Sequence, residues 1–83
     1  MADLRDLVAI NIGRLRRENG WTQEDLAERA GLSARYVGQI ERAQASMSIS
    51  VLGRIADALA ISPAALVTDF RQPGTQRASR PQR

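Results

Sequence analysis

One pattern of helix start occurs four times in this chain, and it restricts the fold more than any other feature. In Trp21-Thr22 with Leu26, Leu32-Ser33 with Val37, Met47-Ser48 with Leu52, and Ile61-Ser62 with Leu66, an apolar residue precedes a hydroxyl residue and a second apolar residue follows four positions later. The hydroxyl can accept from backbone N–H groups that the first turn of a helix leaves unpaired, and the two apolar side chains can close over the start as a staple. At the first of these starts Asp25 can return the bond to Thr22, completing a reciprocal box. Asp3, with Asp6 at the third helical position, supplies a fifth start that also suits the positive end of the helix dipole. The expectation is an all-α chain, a compact five-helix bundle.

The apolar residues fit that reading. On a helical wheel Leu4, Val8, Ile12 and Leu15 share one face, with Leu7 and Asn11 at its edge. Ile10 falls off this stripe, as a lone surface residue or as part of a contact with another chain. Gly20 and Gly31 are placed to end the first two helices in the left-handed conformation. The second helix turns Leu26, Ala27 and Ala30 inward, and the fourth turns Leu52, Ile55, Ala56 and Leu59 inward. Pro63 fits the first position of the fifth helix, where no N–H is needed. Leu66, Val67 and Phe70 give that last helix more apolar surface than a terminal turn requires, so they are the expected dimer interface.

Length and composition limit what else the chain can be. At 83 residues and 43% apolar content it supports one small domain, expected over residues 1 to 70. Residues 71 to 83 contain two prolines and a single apolar residue, Ala78, and are expected to form a basic, disordered tail. This tail is either a solubilising terminus or an arm adding phosphate contacts. With neither cysteine nor histidine in the chain, disulfides, thiolate sites and most zinc sites are excluded. No apolar run approaches ~18 residues and no leader pattern opens the chain, so a soluble, cytoplasmic protein without a membrane association is expected. No cofactor, metal or small-molecule ligand is expected. The absence of histidine, cysteine and a Gly-rich phosphate loop, with most carboxylates assigned to caps and ion pairs, argues against an enzyme.

The net charge of +3 is unevenly spread. Residues 1 to 70 hold eight arginines against nine acidic residues, whereas Arg71, Arg77, Arg80 and Arg83 stand in the tail without an acid. Any affinity of the folded part for nucleic acid must therefore come from where its charges sit.

The third helix, about 33–42, is where they are placed to matter. Gly31-Leu32-Ser33 leaves only the short connection of a helix-turn-helix before it. Val37 and Ile40 define its buried direction, with Tyr36 beside them and its hydroxyl free to reach the rim. The opposite direction collects Arg35, Gln39 and Arg42, with Gly38 and Ala34 alongside. Arginine can bond guanine O6 and N7 as a fork, and glutamine adenine N6 and N7, while small residues permit close approach. A face that reads DNA and a face that is merely solvated or meets a protein both remain open on this pattern.

Taken together, these residues resemble the phage-repressor and Cro-type (XRE-like) helix-turn-helix family, most closely the small controller proteins of restriction-modification systems. The similarity runs through Ile12, Leu15-Arg16, Gly20, Thr22-Gln23-Glu24, Leu26-Ala27, Gly31-Leu32-Ser33, Tyr36-Val37, Gln39-Ile40-Glu41-Arg42, Ser48, Ile55-Ala56 and Ala58-Leu59. It implies a lambda-repressor-like domain that regulates transcription by binding a palindromic site on double-stranded DNA as a homodimer. Bound over a promoter such a protein blocks RNA polymerase; bound upstream it can recruit it. By the same resemblance Ala34, Arg35 and Gln39 read bases, and Thr22, Gln23, Ser33, Tyr36 and Arg42 meet phosphates. Arg16 and Glu41 match a structural ion pair between helices 1 and 3. The chain departs from the family at Ala43, where relatives usually carry glycine, and at Gln44-Ala45, where they often carry an arginine. An antitoxin or other protein-interaction module, with autoregulatory DNA binding, is the alternative.

Overall fold

The computed structural model describes residues 3–69. Phe70 and the tail of residues 71–83, with the disorder expected there, lie outside the described residues. Five helices follow in order: α1 (Leu4–Glu18), α2 (Gln23–Ala30), α3 (Ala34–Glu41), α4 (Ile49–Ala58) and α5 (Pro63–Leu66), with no strand among the described residues.

Each helix begins on the residue chosen by its chemistry. The side chains of Asp3, Thr22, Ser33, Ser48 and Ser62 accept from backbone N–H groups of the first turn, and Thr22 with Asp25 forms the full reciprocal box. Such a cap contributes about 1 kcal/mol relative to alanine. The first four helices also end alike, on a left-handed residue whose N–H and whose successor's N–H return to carbonyls of the last turn. At α1 these are Gly20 to Arg17 at 2.9 Å and Trp21 to Arg16 at 3.1 Å. At α3 they are Ala43 to Ile40 at 3.0 Å and Gln44 to Gln39 at 2.8 Å. Gly20 and Gly31 have φ of 74° and 72°, while Ala43 and Ala60 hold the same conformation at 59° and 58°.

The core draws one fully buried large side chain from every helix: Ile12, Leu26, Val37, Ile55 and Leu66. Val8, Ile40, Ala56 and Leu59 fill between them. At roughly 1.5–3 kcal/mol for each large apolar side chain removed from water, this layer is the main force holding five short helices together. Two expectations need correction here. Leu66 was assigned to a dimer surface, but its exposure is 0%, because α5 folds back so that Leu66 closes the end of the core. Leu4 is expected on the buried stripe of α1, but it is 59% exposed, on the wall of an open groove with Met47, Ile49 and Val67.

A polar side chain fixes α5 against α1. Asn11 is 3% exposed, and its amide donates to the carbonyls of Leu66 at 2.8 Å and Thr68 at 2.9 Å. A helix of four residues is too short to hold itself, and its end carbonyls have no intrahelical partner. Asn11 supplies that partner from within the core.

Candidate nucleic-acid interface

The interface is built on α3, which starts at the Ser33 cap after the three-residue turn Gly31-Leu32-Ser33. Val37 and Ile40 anchor it in the core, so its opposite side faces out. Arg35 is exposed and Gln39 half-buried on that side, and neither side chain makes a hydrogen bond or ion pair among the described residues. Their donors are available to a ligand. Ala34 is half-buried and packs against the core cluster, leaving part of its methyl at the surface.

The far end of α3 is held by charge. Glu41 accepts from Arg16 Nε at 2.6 Å and from Arg16 Nη2 at 3.1 Å, a two-point pair whose side chains are only 9% and 13% exposed. The remaining arm of Arg16 donates to the Trp21 carbonyl at 2.7 Å, so one guanidinium joins α1, the turn into α2, and α3. Gln23, the first residue of α2, donates from Nε2 to Glu41 Oε1 at 3.1 Å. One amide hydrogen of Gln23 remains for another acceptor. Glycine at position 38 favours the close approach of the Gln23 side chain, while Gly13 faces Glu41 at ordinary contact distance. A Cβ on Gly13 would lie 3.6 Å from Glu41 Oε1, and one on Gly38 would lie 3.3 Å from Gln23 Oε1.

Gly38 thus requires a correction: it is buried against the Gln23 and Arg42 side chains, not exposed on the outward face as expected. Tyr36 requires another. Its hydroxyl, expected to reach a phosphate, donates at 3.1 Å to the carbonyl of Ser46 and so ties α3 to the following loop. A hydroxyl has one hydrogen, so Tyr36 can give it to a phosphate only by releasing Ser46.

The other expected phosphate ligands are differently placed. Ser33 Oγ accepts from the Tyr36 N–H at 3.1 Å, which leaves its hydroxyl hydrogen free to donate outward, whereas Thr22 Oγ1 accepts from the Asp25 N–H at 3.0 Å and its hydroxyl also serves the Asp25 carboxyl. Arg42 is exposed and spends Nε on Gln44 Oε1 at 3.1 Å, keeping its terminal nitrogens. Thr22 and Gln23 stand at the positive end of α2, where an anion is favoured. The Asp25 carboxyl is held below the ordinary 3.8, first by the Thr22 backbone N–H and then by the Thr22 hydroxyl. It stays an acceptor and keeps the helix start intact.

Sequence patterns gave no sign of two further contacts. The Arg29 guanidinium lies 4.2 Å from the centre of the Trp21 ring, and Arg54 of α4 donates at 2.9 Å to the Gly31 carbonyl. Elsewhere, Leu4, Val8, Met47, Ile49, Leu52 and Val67 line an apolar groove of 260 Å³. Ile49 is 85% exposed and Val67 40% exposed there. Among the described residues no cluster of acidic side chains could hold a metal ion, and no helix is long and apolar enough to cross a membrane.

A helix-turn-helix presented on a five-helix core defines a class of protein, and the comparisons agree with it. The helix-turn-helix family model matches residues 12–66, and this chain belongs to that family. A relative described as an uncharacterised helix-turn-helix-type transcriptional regulator of Sinorhizobium fredii is 42% identical over 66 residues, covering 80% of this chain and 86% of the relative. A hypothetical transcription factor from Neisseria superposes with a TM-score of 0.83 at 31% identity, covering 89% of this chain and 85% of that one. A restriction-modification controller protein, solved as a tetramer in complex with its natural 35-base-pair operator, superposes with a TM-score of 0.72 at 33% identity, covering 80% and 87%.

Proposed function

We propose that this protein is a sequence-specific, DNA-binding transcriptional regulator, not an enzyme, that reads a palindromic operator as a homodimer with α3 in the major groove. The observation that carries the reading is the outward side of α3. Arg35 and Gln39 stand there with unspent donors, on a helix fixed at its far end by a nearly buried ion pair. The operator-bound controller protein of the same fold supports it. Arg35 and Gln39 read base edges, with the Ala34 methyl beside them, while Thr22, Gln23, Ser33 and Arg42 position the backbone. Tyr36 joins them only at the expense of its bond to Ser46.

A two-fold dimer would set two α3 helices about one DNA turn apart, ~34 Å. The dimer face is better assigned to the apolar groove with Leu4, Ile49 and Val67 than to Leu66, which is enclosed in its own core.

In-vitro selection with the purified protein should return a two-fold symmetric site. Arg35→Ala should then weaken binding to that site by about 1–3 kcal/mol and relax preference at one position of each half-site. A selection that returns no symmetric site, or unchanged binding by the variant, would overturn the reading.

A further inference from the structure

We infer that Arg54 of α4 is a positioning residue for the recognition helix, setting where α3 begins and so where Arg35 points. This rests on the reading of α3 as the DNA-contacting element. Gly31 ends α2, and carbonyls at a helix end lack intrahelical partners. The Gly31 carbonyl receives its partner from a helix that starts 18 residues later, as Arg54 Nη2 donates to it at 2.9 Å. The approach is close: a Cβ on Gly31 would stand 2.5 Å from that nitrogen. Glycine suits this position, since it takes a φ of 72° without strain and a methyl there would push the Arg54 guanidinium aside. Glu28 and Asp57 line the same open cleft, yet Arg54 forms no ion pair among the described residues. Its guanidinium serves a peptide carbonyl instead.

The consequence for α3 is geometric. Its far end is pinned by Arg16 and Glu41, and its near end follows the turn Gly31-Leu32-Ser33. Eight residues make a helix only ~12 Å long. A slip of ~1 Å in the turn would pivot the helix on Glu41 by ~5° and carry Arg35, in the first turn, by nearly the whole displacement. Hydrogen-bonded recognition needs placement within about 0.5 Å. Two arginines from outside the motif thus bracket α3, a nearly buried one behind it and an exposed one in front.

The test compares wild type, Arg54→Met and Arg54→Lys, each measured against the selected operator and a scrambled duplex of equal length at one salt concentration. Methionine keeps the aliphatic reach without a donor, and lysine keeps a donor. Loss of one positive charge weakens both duplexes together, so the operator-to-scrambled ratio isolates aim from attraction. That ratio should fall roughly two- to ten-fold in Arg54→Met, the worth of one hydrogen bond, and largely recover in Arg54→Lys. Amide exchange at residues 32–36 should speed up in the methionine variant alone. An unchanged ratio, a lysine variant no better than methionine, or unaltered exchange would overturn the inference. If wild type itself fails to distinguish the duplexes, it is the DNA reading that falls, and the exchange measurement still decides whether Arg54 positions the turn.

Discussion

Helices α1 and α2 stop on glycines, whereas α3 and α4 stop on alanines, although all four use the same left-handed turn. The contrast extends beyond the stops. The starts of α1 and α2 use the carboxylates of Asp3 and Asp25, while α3, α4 and α5 start on serine hydroxyls alone. The first half is also tied by charge, with Arg16 joining α1, the Trp21 carbonyl and Glu41. The second half is held by apolar packing, with Asn11 reaching across to α5. The proposed recognition helix α3 stands between the two: it starts on a serine and stops on an alanine like the second half, yet its far end is held from the first half by the directional bonds of Arg16 and Gln23 to Glu41. Directional bonds fix angles, which recognition needs; apolar contacts supply stability without setting an angle as tightly.

The strongest way to break the comparison is Glu41→Ala. It leaves Arg16 nearly buried without its counter-charge and frees Gln23, and it should lower the unfolding free energy by about 3 kcal/mol in urea denaturation. A loss under ~1 kcal/mol would mean that the pair behaves like an exposed one and that the first half is not held by charge. Gly31→Ala comes next. A left-handed alanine costs roughly 1–2 kcal/mol, and its methyl must also displace Arg54, so the loss should reach about 2 kcal/mol. The operator-to-scrambled ratio should fall with it.

How much of this could be read from the residues follows from the range of each interaction. All five helix starts were legible, because a cap is a bond between a side chain and a backbone group two or three residues away. The glycine stops were legible for the same reason. Alanine carries no such mark: only the family's preference for glycine at Ala43 hinted at that turn, and nothing hinted at Ala60. Leu66 was misplaced because a four-residue helix has no period from which to read a buried side. Gly38 and Tyr36 were misread because their partners, Gln23 and Ser46, come from other segments. The Arg16–Glu41 pair, 25 residues apart, was reached only through resemblance. Arg54 on Gly31 and Asn11 on α5 were beyond reach, since nothing local to either residue names a partner across the fold.

If the second half is strained at its stops, relaxing them should stabilise the protein without touching a contact. Ala43→Gly and Ala60→Gly should each raise stability by about 1 kcal/mol, because glycine takes the left-handed conformation without the Cβ clash. Thermal melts of the two variants and their combination would show it, with near-additive shifts expected if the stops act independently. A loss at either position would show that the alanine methyl packs usefully and that its φ is not a strain.

The smallest expected effect separates the halves by pH. Backbone N–H bonds hold Asp3 and Asp25 below the ordinary carboxyl value of 3.8, with Arg5 and Thr22 respectively as the donors. A carboxyl whose folded value lies below its unfolded one adds stability at pH above the unfolded value and loses it as the pH falls through the folded one. The caps of α1 and α2 should therefore weaken as the pH drops below about 4, while the serine caps of α3, α4 and α5 do not titrate at all. Corrected for intrinsic exchange rates, amide protection in the first turns of α1 and α2 should decline before that of α4 during acidification. Asp25→Asn should flatten the acid side for α2 alone, since an amide can still accept from Thr22 but carries no proton equilibrium in this range. Equal decline in both halves would show that acid acts on the fold as a whole, and that the carboxylate caps do not set the first half apart.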